Sequence, residues 1–198
     1  MHRSSLDKME AFRNKYIESR KTEPLNIIDV GSLDVSGGTY RGFFDISPWS
    51  YRGADMAAGK NVDIVLHDPY NWREVRSNSV DVVVSGQAFE HIEFFWFTML
   101  EIARVLKPGG LCCLIAPSTG PEHRYPVDCW RFYHDGFAAL ARFASLQVLE
   151  IYSQNGPTGY DDGSDMWQDM VLVCQKPAST GLSSLKRRCT HFLLRRFL

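Results

Sequence analysis

The chain has 198 residues, of which 44% are hydrophobic, 23% charged and 13% aromatic. Those values describe one globular domain with enough chain for a sizeable core, and they exclude wholesale disorder and collagen-like repeats. A formal net charge of −1 excludes a nucleic-acid-binding polycation.

The charge is uneven. Residues 177–198 hold Lys186, Arg187, Arg188, Arg195 and Arg196 and no acid, which leaves 17 basic against 23 acidic residues, or −6, on the remainder. The five cysteines (112, 113, 129, 174 and 189) form no CxxC pair. A disulfide framework and a zinc site are therefore not expected, and a reducing cytosol is the expected setting. Cys112 and Cys113 adjoin in an apolar run and should point to opposite faces. Residues 1–21 are charged throughout, unlike a secretory signal. No apolar run reaches 18 residues, so no transmembrane helix is expected.

In chain order, residues 5–20 read as a polar helix, with Leu6, Met9, Phe12, Tyr16 and Ile17 at helical spacing and Pro24 beyond its end. Leu25–Val30 is a short apolar run stopped by Gly31, as in a buried strand. Ser32–Tyr40 is a Gly/Ser loop. Tyr51–Asp55, Val62–Val65 and Val80–Ser85 are further strands. Ile92–Leu106 places residues 92, 95, 96, 99, 102, 103 and 106 on one apolar helix face. Lys107–Gly110 reads as a hard stop, and Leu111–Ala116 as the fifth strand. Asp135–Phe143 is a helix, Leu146–Tyr152 a strand, Asn155–Asp165 a Gly/Asp loop and Met170–Gln175 the last strand. Strands buried on both faces and separated by helices imply a parallel sheet in an α/β sandwich. Three segments follow: an N-terminal helix over 1–24, the α/β domain over 25–176, and a basic amphipathic tail over 177–198.

Ligands in such sheets bind at the carboxyl ends of strands, near the switch in strand order. The first strand ends Ile-Ile-Asp-Val-Gly-Ser (27–32), where Gly31 would let backbone approach a ligand. The second ends at Asp55, placed to accept ribose hydroxyls or, alternatively, to cap a helix. Asp68-Pro69 after the third could meet an adenine amine or simply make a turn.

Taken together these stretches resemble the class I S-adenosylmethionine-dependent methyltransferases. Residues 27–32 are similar to the first motif of that family and Gly-Ala-Asp-Met (53–56) to the second. Ser79–Ile92 is similar to the strand-four motif, and Glu101–Gly110 to the helix and turn before strand five. The likeness spans about residues 25–118. One departure stands out: Leu33 and Val35 occupy positions that are usually glycine, so Asp34, Ser36 and the Gly37-Gly38 pair must shape the loop differently. The resemblance implies a three-layer Rossmann-like sandwich, with a seven-stranded, mostly parallel sheet whose last strand is antiparallel. It implies S-adenosyl-L-methionine as cofactor, held by Asp29, Gly31, Ser32, Asp34, Asp55, Met56, Asp68, Pro69, Ser85, Gly86 and Gln87.

Methyl transfer to oxygen or nitrogen needs alignment and a base, and His is the side chain best tuned for that near neutral pH. His123 and His91 are the candidates, His91 having a capping or packing role as its alternative. The Gly120–Phe132 loop is a natural acceptor wall, with Arg124 and Arg131 suited to an anionic group and Glu90, Asp128 and Trp130 beside them. Its alternative is a structured crossover held by an Arg–Asp pair. His134 should begin the next helix. The Asn155–Trp167 loop is either a lid or a plain solvated loop.

The expected acceptor is a small molecule or glycan precursor. Three rivals remain. A nicotinamide-dependent oxidoreductase should show Gly-x-Gly-x-x-Gly, which is absent. A non-catalytic module of the same fold would act through its tail. A nucleic-acid methyltransferase is opposed by the acidic body. Written as a helix, the tail puts Leu182, Leu185, Cys189, Phe192, Leu193 and Phe197 opposite Arg187, Arg188, His191 and Arg195. That pattern suits a peripheral membrane surface, a protein groove, or packing on its own domain.

Overall fold

The computed structural model describes residues 1–154, 156, 158–178 and 193. Short Val- and Ile-rich runs form the strands: β1 (Asn26–Val30), β2 (Ser50–Asp55), β3 (Ile64–Val65), β4 (Val80–Gly86), β5 (Leu106–Ala116), β6 (Gln147–Ser153) and β7 (Met170–Gln175). The helices are α1 (Arg3–Phe12), the single-turn α2 (Arg41–Phe44), α3 (Phe95–Val105) and α4 (His134–Phe143). The sheet order is β3-β2-β1-β4-β5-β7-β6. β1 to β5 pair in parallel, while β7 runs antiparallel to both β5 and β6. The order reverses between β1 and β4, so the carboxyl ends of those strands flank the switch point where ligands bind.

Alternation along the strands divides the core. Ile28, Val83, Cys112 and Cys174 face α3 and α4 with Met99, Ile102, Phe137 and Leu140. Ile27, Val82, Val84 and Cys113 face the other way, onto Met9, Phe12, Ile17, Phe44 and Trp49. Both layers bury large apolar side chains, and that burial is the main favourable term in the fold. Cys112 and Cys113 do point apart, as their alternation requires.

The differences from the sequence reading have local causes. The N-terminal helix begins at Arg3 and ends as a regular helix at Phe12. A wider π turn (Arg13–Ile17) and a 3-10 turn (Glu18–Arg20) then seat Ile17 in the core. The helix expected from Ile92 begins at Phe95, because Phe89–His91 form a separate 3-10 turn. Lys107–Gly110 does not stop the chain ahead of the strand. Leu106 already pairs with Val80 and Leu111 with Val82, so these residues bulge out of β5 opposite Asp81. Gly109 supplies the φ of +80° the bulge needs, and Lys107 Nζ meets Asp81 Oδ2 at 2.7 Å. β3 is shorter than expected, pairing only through Ile64 and Val65. No helix among the described residues is long and apolar enough to cross a membrane. The amphipathic pattern expected over 182–198 lies outside the described residues.

Candidate active site

The turn after β1 is built by backbone geometry. Gly31 has a φ of +74°, and a Cβ there would stand 2.3 Å from Ala88 Cβ, so only glycine lets β1 and the β4 turn approach. Asp55 at the end of β2 then holds the loop: its Oδ2 accepts the Leu33 N–H at 3.0 Å and its Oδ1 the Ala57 N–H at 3.2 Å. Asp34 Oδ1 accepts the N–H groups of Ser36 and Gly37, and Asp34 Oδ2 pairs with Lys60 Nζ at 2.6 Å. The two residues that replace the usual glycines are accommodated without collapse. Leu33 fills the space over Gly59, and Val35 stands out at 64% exposure.

Between this loop and the end of β4 lies a narrow cleft of about 70 Å³. Of the expected cofactor residues, Asp29, Gly31, Ser32, Gly86 and Gln87 line it. Asp34, Asp55, Met56, Asp68, Pro69 and Ser85 do not. Asp34 and Asp55 instead shape its loop. Asp68 Oδ1 accepts the Tyr70 N–H at 2.8 Å, the turn geometry that was its alternative. The Ser85 hydroxyl is buried and donates to the Val30 carbonyl at 2.7 Å, tying β4 to β1. Met56 is 47% exposed beyond β2.

Sequence reasoning missed Met1, Thr39 and Asn61 in the cleft wall. Met1 reaches it through a hydrogen bond between its amino group and Ser36 Oγ. Asn61 adopts a φ of +70°, which Asn tolerates, and donates to the Ser32 carbonyl at 2.8 Å. Asp29 is buried and accepts the Tyr51 hydroxyl at 2.5 Å; burial pushes its carboxyl up to about 7 against the opposing pull of that hydrogen bond.

Beyond Gln87, the second half of the site forms from two chain segments. The backbone carbonyl of Glu90 accepts the N–H groups of Cys129 (2.7 Å) and Trp130 (3.2 Å), and Trp130 Nε1 donates to the Ile92 carbonyl at 3.1 Å. Those bonds bring the β5–α4 crossover against the turn after β4. Within the crossover Asp128 takes Arg131 in a bidentate pair (2.6 and 2.8 Å) and accepts the His123 backbone N–H at 2.7 Å. Arg131 also donates to the Pro121 carbonyl at 2.7 Å. The Arg131 hydrogen bonds hold the Asp128 carboxyl well below the usual carboxylate range. Arg131 and Asp128 thus build the crossover, the alternative reading of this loop. Arg124 is exposed and paired with Glu122 at 2.7 Å, and Trp130 pins the crossover to the α3 entry. His134 opens α4, as expected.

What the crossover delivers is His123. Its ring centroid lies 4.8 Å from that of His91 and 4.6 Å from that of Trp167. His91 Nδ1 lies 2.6 Å from the Val127 carbonyl, so it carries the proton and leaves Nε2 as an acceptor, 3.7 Å from Glu90 Oε1. Burial lowers the His91 pKa, which keeps the ring neutral. Glu90 is fully buried, neither of its carboxylate oxygens has a hydrogen-bond partner in another described residue, and burial pushes its pKa up to about 8. The loop before β7 closes the site: Trp167 stacks on His2, and Asp169 accepts Gln87 Nε2 at 2.9 Å and the Ser4 hydroxyl at 2.8 Å.

A seven-stranded sheet of this order with a ligand cleft at the switch point is the Rossmann-like architecture of class I methyltransferases. Residues 41–114 match the family model described as a methyltransferase domain. The matched segment runs from α2 into β5, and the fold around it is that of the S-adenosylmethionine-dependent methyltransferases. No curated relative matches the sequence.

Among solved structures, the chain is similar to a S-adenosylmethionine-dependent methyltransferase of Methanosarcina mazei (TM-score 0.63, 13% identity, covering 83% of this chain and 98% of that one). It is also similar to the 1,6-didemethyltoxoflavin-N1-methyltransferase of Burkholderia thailandensis with bound 1,6-didemethyltoxoflavin and S-adenosylhomocysteine (TM-score 0.62, 12% identity, 88% and 84% covered). A third neighbour is a chain of the complex formed by the Trm112 methyltransferase activator of Haloferax volcanii (TM-score 0.58, 21% identity, 89% and 100% covered).

The residues present fit the cofactor. Asp55 stands part-exposed at the β2 end with each oxygen accepting only one N–H, so lone pairs remain for two hydroxyls. Asp29 adds a second carboxyl beside the cleft.

Proposed function

We propose that the chain transfers a methyl group to an oxygen or nitrogen of a small-molecule or sugar-containing acceptor held against His91 and His123. The observation that carries this reading is the Glu90–His91–His123 cluster, whose Glu90 and His91 follow the cleft-lining Gln87 in the turn after β4. The Burkholderia neighbour, an N1-methyltransferase with a bound small molecule, supports an acceptor of that size.

S-adenosylmethionine, when bound, supplies the electrophilic methyl group, and the protein's work is alignment and proton removal. Asp55 and the Gly31–Gly38 loop hold the nucleoside side. Gln87, anchored on Asp169, separates the cleft from the acceptor side. His91 Nε2 is neutral and unprotonated at pH 7, as a base for an acceptor hydroxyl or amine must be. His123 and Trp167 form the wall against which the acceptor lies, with Tyr125 (63% exposed) at the rim.

The test is methyl transfer to a panel of hydroxyl and amine acceptors, followed by mass spectrometry, for wild type and His91→Gln. A base role predicts a kcat lowered by about 10²–10⁴-fold with binding of S-adenosylhomocysteine unchanged. Equal kcat in the two proteins sinks the assignment of His91.

A further inference from the structure

The Glu90–His91–His123 cluster has the form of a metal site. Glu90 is fully buried, and neither oxygen of its carboxyl has a hydrogen-bond partner in another described residue. A buried carboxylate of that kind calls for a cation or a donor. His91 gives Nδ1 to a backbone carbonyl and turns Nε2 inward, 3.7 Å from Glu90 Oε1. His123 brings a third donor, and all three ligand atoms lie within 4.8 Å of one another.

We propose that Glu90, His91 and His123 bind one divalent first-row transition-metal ion of the zinc class and leave a coordination position open towards the acceptor. Two imidazoles and one carboxylate are the donors of a catalytic zinc centre, where the fourth place is kept for water or substrate. Imidazole also selects such ions over magnesium and calcium, which prefer all-oxygen sets. Metal–ligand bonds of about 2.1 Å in a tetrahedral array put the donors about 3.4 Å apart. The Glu90–His91 pair, at 3.7 Å, is close to that spacing, and all three ligand atoms lie within 4.8 Å of one another.

The surroundings match as well. Metal-bound histidines are oriented by a carbonyl or carboxylate on the second ring nitrogen. His91 has the Val127 carbonyl in that place. Asp128 Oδ2 stands 3.3 Å from His123 Nδ1 and is itself fixed by Arg131. The Glu90 carbonyl, by holding Cys129 and Trp130, keeps the two ligand-bearing segments in register.

The binding of the ion stands independently. Its use, lowering the pKa of an acceptor hydroxyl or amine in place of a bare histidine base, rests on the methyl-transfer reading.

The full chain, freed of metal with a chelator, is titrated with Zn²⁺ by calorimetry and with Co²⁺ by visible absorption. The expected result is one ion per chain and the intense visible bands of four- or five-coordinate Co²⁺. Glu90→Gln and His123→Ala should each weaken binding at least tenfold, while His67→Ala, at the exposed His67–Glu74 pair, leaves it unchanged. S-adenosylhomocysteine binding is measured on the same samples. It reports that each variant is folded, and it separates the two ideas. Cofactor binding without metal binding overturns the ion site alone. Metal binding without cofactor binding overturns the methyl-transfer reading alone. A wild-type Co²⁺ spectrum no different from the hydrated ion, or equal Zn²⁺ affinity in wild type and folded Glu90→Gln, refutes the proposal.

Discussion

Asp29→Asn isolates one buried proton. The Asp29 carboxyl is buried beneath the cleft, accepts the Tyr51 hydroxyl, and is raised from 3.8 to about 7 by burial. Above pH 4 the unfolded chain gives up this proton while the folded protein keeps it. The folded state then binds more protons, so stability falls as pH rises from about 4 to about 7 and levels off beyond. At about 1.4 kcal/mol for each pH unit, the full loss is about 4 kcal/mol, a large share of the roughly 5–15 kcal/mol of a typical domain. Asparagine keeps an acceptor for Tyr51 and has no proton to lose. Urea unfolding of both proteins at pH 4, 5.5 and 7.5 gives the comparison, because titrating groups that do not interact with Asp29 cancel in the difference. Wild type should lose about 3–4 kcal/mol relative to the variant between the first and last pH. Parallel profiles would mean that Asp29 is ionised in the fold, and the account of its burial would be wrong.

Three more outcomes follow from the geometry. Arg131→Met removes the bidentate partner of Asp128 and should cost about 2 kcal/mol in urea unfolding, since hydrogen bonds to charged groups are worth about 1.5–3 kcal/mol; a change under about 0.5 kcal/mol would show that the crossover is held by its aromatic contacts. Gly86→Ala places a Cβ 1.7 Å from the hydroxyl oxygen of the fully buried Tyr40, and should cost about 3 kcal/mol or more or leave the chain insoluble; an unchanged melting temperature would refute the tight approach of β4 to Tyr40. S-adenosylhomocysteine should bind in calorimetry and slow amide exchange over 31–39, because Met1 and the loop crowd a cleft of about 70 Å³, well under the roughly 300 Å³ of small ligand pockets. Asp55→Ala should lose that binding, and binding undiminished in this variant contradicts the nucleoside assignment.

The strands were legible because each is a short apolar run closed by a glycine, an acid or a proline, and burial on both faces leaves no other use for such runs. Val80–Ser85 differs from the observed β4 by one residue. Lys107–Gly110 was harder to read: glycine and proline mark a break in regular pairing, but not whether the strand ends or bulges around it. The π turn at Arg13–Ile17 has no sequence mark, for it arises where Ile17 is drawn into the core.

At the site, the divide lies between residues and their pairings. Both histidines and Glu90 could be named from their positions after β4 and β5. Their meeting depends on a backbone carbonyl, that of Glu90, accepting two N–H groups from the crossover, and such bonds leave no side-chain signature. For Arg131 the sequence leaves two uses open, an anionic group of the acceptor or an Arg–Asp pair within the crossover, because guanidinium suits free anions and Asp128 equally well. The protein uses the second, across the i,i+3 spacing from Asp128. That choice has a chemical consequence. With Arg131 hydrogen-bonded to Asp128, neither oxygen of the Glu90 carboxyl has a hydrogen-bond partner in another described residue, and the carboxyl lies beside two imidazoles that the crossover brings together. On the methyl-transfer reading proposed above, a crossover fixed by hydrogen bonds, a buried carboxyl and two neighbouring histidines would make this end of β4 the place where the acceptor's proton is handled.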